Sequence, residues 1–381
     1  MEKTIADICN SIEIDRYFIE MLEQLKGSII VNLYNSGYTL TLGLCDQIRP
    51  VKLTQLSVAY NGTRRAMGAF VGSKGDIWIG TQIQLTNYRK HTEPHPDNNG
   101  ETERKPFDGY YVPRKIHIIG DVDVHDIEEC DNQLYFVSVL FNSICIPSKT
   151  HGFKIYWRPP WIKSDLKNNT PAEDRCHLNG FCCVDGLPRY ATSISRSNIV
   201  NGWKDSRING GIVWDIKKNK MCCHGLSMPH SPRWYQEKLY LLNSGRGEFG
   251  YINFDETLKN VKGEDYHPFV KIAFIPSFLR GLAFCGNYAI IGGSSDRHDS
   301  MFKNLPLYDI LKAEEITPVC GVFIVNINTG NVCNYLHFVN NDVVKEIYDV
   351  AFVPNIRRLQ LEEYRFESLA RQFTVEEASS D

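Results

Sequence analysis

The sequence predicts an all-β chain folded as a six-bladed β-propeller, with seven blades as the alternative count. Three observations carry that reading. Helical periodicity is scarce, and its clearest stretch is a short segment near the start. A unit of buried strand, tight turn and second strand recurs at intervals on the order of 50–70 residues, a period typical of propellers and arrays. The two ends are incomplete in complementary ways: three N-terminal strands lack an inner strand, and one C-terminal inner strand lacks outer ones.

The elements follow in order. "DRYFIEMLEQL" from Asp15 puts Phe18, Met21, Leu22 and Leu25 on one face of a helix, so residues 1–27 form an N-terminal helical segment. Strands "SIIVNLY" from Ser28, "YTLTLGL" from Tyr38 and "KLTQLSV" from Lys52 come next. The recurring unit then starts five times, at Ala66, Val124, His177, Pro229 and Leu279. "IYDVAFVPN" from Ile347 supplies a sixth inner strand. Joining the N-terminal strands to it closes the ring and removes a free sheet edge, so the propeller spans 28–355. The polar stretch from Tyr88 to Gly109 reads as a mobile insertion. "LYDILKAEEI" from Leu307 is a short helical candidate within a loop, and residues 356–381 read as a helical or disordered tail.

Composition narrows the classes. With 381 residues, 43% hydrophobic and 12% aromatic, the chain buries a sizeable core. A net charge of -3 offers no basic face, which argues against a nucleic-acid partner. No apolar run approaches the roughly 20 residues of a membrane helix, so no membrane partner is expected. The N-terminus has no signal-peptide pattern. Twelve cysteines without an export signal point to reduced thiols and a cytoplasmic location. The vicinal pairs Cys182–Cys183 and Cys222–Cys223 read as small core residues. Oligomeric state is not legible.

The first strand of each propeller blade lines the central channel, so residues at its start gather at one mouth. Aligned on the strand cores, those positions hold Arg65 to Met67, His125, His177 with Asn179, His230, Arg280, and Tyr348 with Glu346. Three of the six present a His although the chain has only eleven. Three imidazoles with an open position suit a divalent transition metal such as Zn, Fe or Mn, with Asn179 and Glu346 as further candidate ligands. Each His taken singly also has a plain structural reading as a hydrogen-bonded pair. Asp121, Asp123, Asp126, Glu173 and Asp174 are placed to orient imidazoles or to act as a base. Arg280 at the same mouth suits a carboxylate or phosphate, or alternatively a salt bridge with a neighbouring carboxylate. Tyr348 completes the catalytic candidates, with Arg280, Glu173 and Asp174. The strap "YWRPPWIKSDL" from Tyr156 reads as a wall over the mouth or as a loop pinned by Trp157 and Trp161; "RSNIVNGWKDSRINGG" from Arg196 extends the same rim.

"YYVPRKIHIIGDVDVHDI", "WRPPW", "EDRCHLNG", "NGGIVWDI", "GLSMPHSPRW", "RGLAF", "CGVFIVNINTG" and "EIYDV" together resemble an uncharacterised, mainly bacterial family of domain-of-unknown-function proteins. The resemblance covers about residues 60 to 355. The family is similar in architecture to YWTD and NHL propellers. "HLNGF" and "PHSPRW" resemble strand starts of senescence-marker-protein and gluconolactonase-like enzymes, which hold a divalent cation on Glu, Asn and Asp. Only Asn179 matches such a ligand here. The His at the other positions favour a borderline metal over calcium.

The expectation is thus a metal-dependent hydrolase, lyase or isomerase acting on a small anionic substrate at the channel mouth. An Fe-dependent oxygenase is its redox version. The alternative is a non-catalytic propeller that binds a protein or peptide at its rim.

Overall fold

The structure is a computed structural model. It describes residues 4–47, 53–91, 107–163, 172–295, 304–364 and 369. Most of the insertion expected after Tyr88, and nearly all of the tail beyond Tyr364, lie outside the described residues.

Six four-stranded antiparallel units form the ring. Blade 1 joins both ends of the chain: its inner strand is Asp349–Pro354, and Gly27–Leu33, Tyr38–Gln47 and Leu53–Gly62 follow outward. The inner strands of blades 2 to 6 are Ala69–Val71, Val124–Cys130, Leu178–Val184, Pro229–Tyr235 and Phe278–Cys285. Each packs against the inner strand of the next blade, and that of blade 6 returns to Asp349–Pro354, closing the ring. The closure has a sequence cause. "SIIVNL" is buried throughout and bonds antiparallel to "DVAFVP" from Val353 opposite Ser28 to Asp349 opposite Asn32. Apolar faces of neighbouring blades interleave, as where Tyr240, Leu242 and Phe249 of blade 5 meet Leu282, Ile291 and Phe323 of blade 6.

Both ends also cover outer edges. Ile12–Ile14 pairs with Val332–Phe338, the outermost main strand of blade 6. Leu359–Leu361 pairs parallel to Gly109–Ile118 of blade 2, so the chain does not leave the propeller at residue 355. The helix Phe18–Leu25 buries the four residues its periodicity selects, Phe18, Met21, Leu22 and Leu25. Another helix, Pro306–Ala313, begins on Pro at its first turn. Its Leu307 and Leu311 pack with Trp203, Met228 and Phe278 beside the channel mouth.

One expectation about cysteine is corrected. Cys130 and Cys183 are joined as a disulfide between the inner strands of blades 3 and 4. They are far apart in sequence, and only the ring brings them together. Cys182, Cys222 and Cys223 are buried small residues in the adjoining core. Among the described residues no helix is long and apolar enough to cross a membrane.

Candidate functional site

Each imidazole of the expected register sits at the first residues of an inner strand, or one before it. The backbone there is unusual. Asp123, His177 and Met228 all have positive φ, at or two residues before an imidazole. Non-glycine residues hold that conformation only where surrounding contacts over-determine it.

His125 lies within 2.7 Å of the Tyr348 hydroxyl through Nδ1, and 3.4 Å from an Asp123 carboxylate oxygen. Tyr348 donates to the carbonyl of Val124 at 3.2 Å. Since Nδ1 also faces the Asp123 carbonyl at 3.4 Å, the consistent assignment has Nδ1 as the donor. His177 Nδ1 donates to Asp174 Oδ2 at 2.6 Å, and Asp174 Oδ1 accepts the His177 backbone N–H at 2.9 Å. His230 Nδ1 donates to the Met228 carbonyl at 2.9 Å, with Ser244 Oγ at 3.0 Å. All three rings therefore carry their proton on Nδ1. Their Nε2 lone pairs have no hydrogen-bond partner among the described residues, and none is a sealed unpaired atom. Nε2 is thus left to act on something in the channel.

Aromatic walls fix the rings. His125 and His177 meet edge to face with centroids 5.0 Å apart. Trp203 covers His177 at 4.3 Å, and Phe278 meets His230 at 5.6 Å. Burial pushes His125 and His230 below the usual imidazole range; for His230, Arg280 and the other two imidazoles add to it, while for His125 Asp123 opposes it. Burial works against ionisation of Asp123, but His125, His177 and Arg280 outweigh it and hold that carboxyl below its usual range. Burial raises Tyr348 well above an ordinary phenol, so it stays a donor.

Arg280 lies over the Tyr348 ring at 3.7 Å and reaches Glu346 Oε1 with Nη1 at 3.3 Å. Asn35 donates to the other Glu346 oxygen at 2.8 Å. Glu346 is buried, and its carboxylate faces these partners. Asn179 accepts from Thr192 through Oδ1 at 2.8 Å, and its Nδ2 is a buried unpaired donor. Glu173 turns away into the rim, where both Nε and Nη2 of Arg175 donate to its Oε2. Asp121 accepts from Gln82 at the surface. Trp161 packs against Trp214 at 5.0 Å, so the aromatic strap is pinned to blade 4.

Sequence reasoning did not pick out Tyr34, which stacks on Tyr348 at 5.2 Å, or Trp203 and Ser244. A second layer lies below the imidazoles, and in it Asp126, expected to orient an imidazole or act as a base, bonds to other partners. Asp126 takes a bidentate pair from Arg233 at 2.9 and 3.0 Å and accepts the Phe181 N–H of blade 4. Asp349 accepts the Ala69 N–H of blade 2, and Ser231 Oγ accepts the Gly281 N–H of blade 6. The signal was visible: "HDI", "HSP" and "YDV" put Asp or Ser directly after the mouth residue.

As a donor set, three Nε2 lone pairs suit a borderline divalent metal. Their ligand atoms do not all lie within 4.8 Å of one another. Among the described residues the only group of three or more metal-capable side chains with ligand atoms all within 4.8 Å of one another is Glu128, Cys130 and Cys183. A single ion at the mouth therefore requires the imidazoles to draw together.

A family model described as Domain of unknown function (DUF4915) matches residues 16–361. The chain belongs to the DUF4915 family. None of the curated proteins matches this sequence. Among solved structures, this DUF4915 chain is similar to one in a nidogen/laminin complex, at 9% identity over 86% of this chain and 99% of that one, with a TM-score of 0.47. It is similar also to a catalytically inactive virginiamycin B lyase from Staphylococcus aureus with quinupristin, at 9% identity, 86% and 98% coverage and a TM-score of 0.35. A putative 6-phosphogluconolactonase from Bacteroides uniformis matches at 12% identity, 86% and 99% coverage and a TM-score of 0.37. The chemistry of this DUF4915 protein has to be argued from its own residues.

Proposed function

We propose that this protein is an enzyme acting on a small anionic substrate at the channel mouth, as a hydrolase, lyase or isomerase dependent on a divalent transition metal. One observation carries the reading. His125, His177 and His230, from three different blades, are all held as Nδ1–H tautomers with Nε2 free. An imidazole whose Nδ1–H is held by an acceptor presents Nε2 to the channel, where it can serve as ligand or base. The metal, when bound, would polarise a carbonyl or lower the pKa of a water. The chain's own groups would do the rest. Arg280, with guanidinium N–H groups beyond the one given to Glu346, would hold the anionic group. Asp174 would fix His177, and Tyr348 would fix His125.

A second reading dispenses with the metal: His177, backed by Asp174, acts alone as general base. The absence of a cluster of the three within 4.8 Å of one another, among the described residues, favours it. Metal analysis of protein saturated with Zn²⁺ or Mn²⁺ and then desalted separates the two. The metal reading expects about one ion per chain, lost in His230→Ala. No bound metal in wild type, or unchanged metal in that variant, removes it and leaves His177.

A further inference from the structure

We infer that Glu128, Cys130 and Cys183 form a thiolate-rich site for a zinc-class divalent cation, at the opposite end of the channel from the imidazoles and opened by reduction of the Cys130–Cys183 disulfide. The inference is independent of the reading of the mouth. Cys130 lies five residues beyond His125 on one strand, about 16 Å away along an extended chain.

The placement follows from strand geometry. Glu128 and Cys130 are two apart and share a face of the blade 3 inner strand. Cys183 faces them from the blade 4 inner strand, while its neighbour Cys182 turns into the core with Tyr190 and Leu239. The three ligand atoms lie within 4.8 Å of one another. The Cα atoms of the two cysteines are 6.4 Å apart, a separation that serves a disulfide.

Glu128 is what a structural staple does not explain. A disulfide is neutral and needs no carboxyl group beside it. One Glu128 oxygen accepts the Cys183 backbone N–H at 3.1 Å. The other has no hydrogen-bond partner among the described residues and is not sealed. A cation between the two sulfurs would take this oxygen as its third protein ligand. Arg233, close enough to act on Glu128, offsets part of the charge of two thiolates and a carboxylate. Cys130 is buried, whereas Cys183 and Glu128 are half-buried, which leaves a way in.

The redox step balances simply. Two thiols deliver two electrons and two protons to the disulfide and leave as their own disulfide; a phosphine delivers the two electrons while water supplies both protons and the oxygen of the phosphine oxide, and either route gives two thiols. Cation binding then releases the two thiol protons.

The test uses the full chain, reduced with a phosphine under anaerobic conditions and titrated with Co²⁺ as a probe for Zn²⁺. The expected result is thiolate-to-cobalt charge-transfer absorption that saturates, is displaced by Zn²⁺ and is absent from the oxidised protein. Cys130→Ser and Cys183→Ser abolish the band, and Glu128→Gln weakens binding by about tenfold or more. His230→Ala leaves the band intact, since imidazole gives no sulfur charge transfer. Should the Cys variants not fold, reduced wild type is alkylated with and without Zn²⁺ and mapped by mass spectrometry; the cation is expected to protect Cys130 and Cys183. Absence of the band in folded, reduced wild type overturns the proposal, as does a band that survives Cys183→Ser, or alkylation of both cysteines unaffected by Zn²⁺.

Discussion

At the scale of single residues, the channel mouth is a set of paired donors and acceptors that leaves three imidazole nitrogens over. The Asp174–His177 pair is the most exposed to test. Its oxygens take both the ring N–H and the backbone N–H of His177. Asp174→Asn keeps the size but replaces one acceptor with an NH₂ group that cannot accept from Nδ1. The ring then loses its orientation, or its tautomer reverses and Nε2 becomes a donor. Metal affinity or turnover should fall by about 10–100-fold while the thermal midpoint changes little, and isothermal titration alongside thermal unfolding reads both. His125 and His230 were legible in the sequence because they share one offset from an apolar strand core, each the second residue of its inner strand, whereas His177 stands two residues earlier, on the positive-φ residue, and Asn179 holds the matching position. Arg280 was legible as a channel residue, and Glu346 proves to be the neighbouring carboxylate that it meets. Tyr34 and Trp203 were not legible: they reach the site from loops, where no repeat fixes the offset.

At the scale of elements, the outer parts of the chain hold the inner ones in place. Helix Pro306–Ala313 is short, yet Leu307 and Leu311 are fully or almost fully buried against Trp203 and Phe278. Those aromatics in turn face His177 and His230. Leu311→Ala should cost about 2–5 kcal/mol of stability and loosen both walls. Denaturant unfolding should report the loss, and slower turnover or weaker metal binding at the mouth should accompany it. The sequence showed this helix as a weak periodicity without a destination. Its role depends on contacts with two other blades, which local pattern cannot display. The closing blade was legible for the opposite reason. Its halves are complementary, with strands missing at one end and supplied at the other, and no other pairing satisfies both edges.

At the scale of the whole molecule, the ring is tied below the mouth by side chains from alternate blades. Asp349 of blade 1, Asp126 of blade 3 and Ser231 of blade 5 each accept a backbone N–H from the following blade. Two of these are carboxylates, and Arg233 is bonded to only one of them, Asp126. Burial raises Asp349 to about 7, with Arg233 relieving the shift and Asp126 adding to it. In the unfolded chain the same group ionises near 3.8. Between those values the folded protein keeps a proton that the unfolded chain has released. Its contribution is therefore complete below 3.8 and is lost as pH rises through about 7. Asp349→Asn imitates the protonated acid and removes this dependence. Over the range from about pH 5 to pH 8, wild type should lose unfolding free energy relative to the variant, so that the difference between them shifts steadily in the variant's favour. Denaturant unfolding of both proteins across that range measures it. Parallel pH profiles would mean that Asp349 is ionised in the folded ring, and that Arg233 serves both carboxylates.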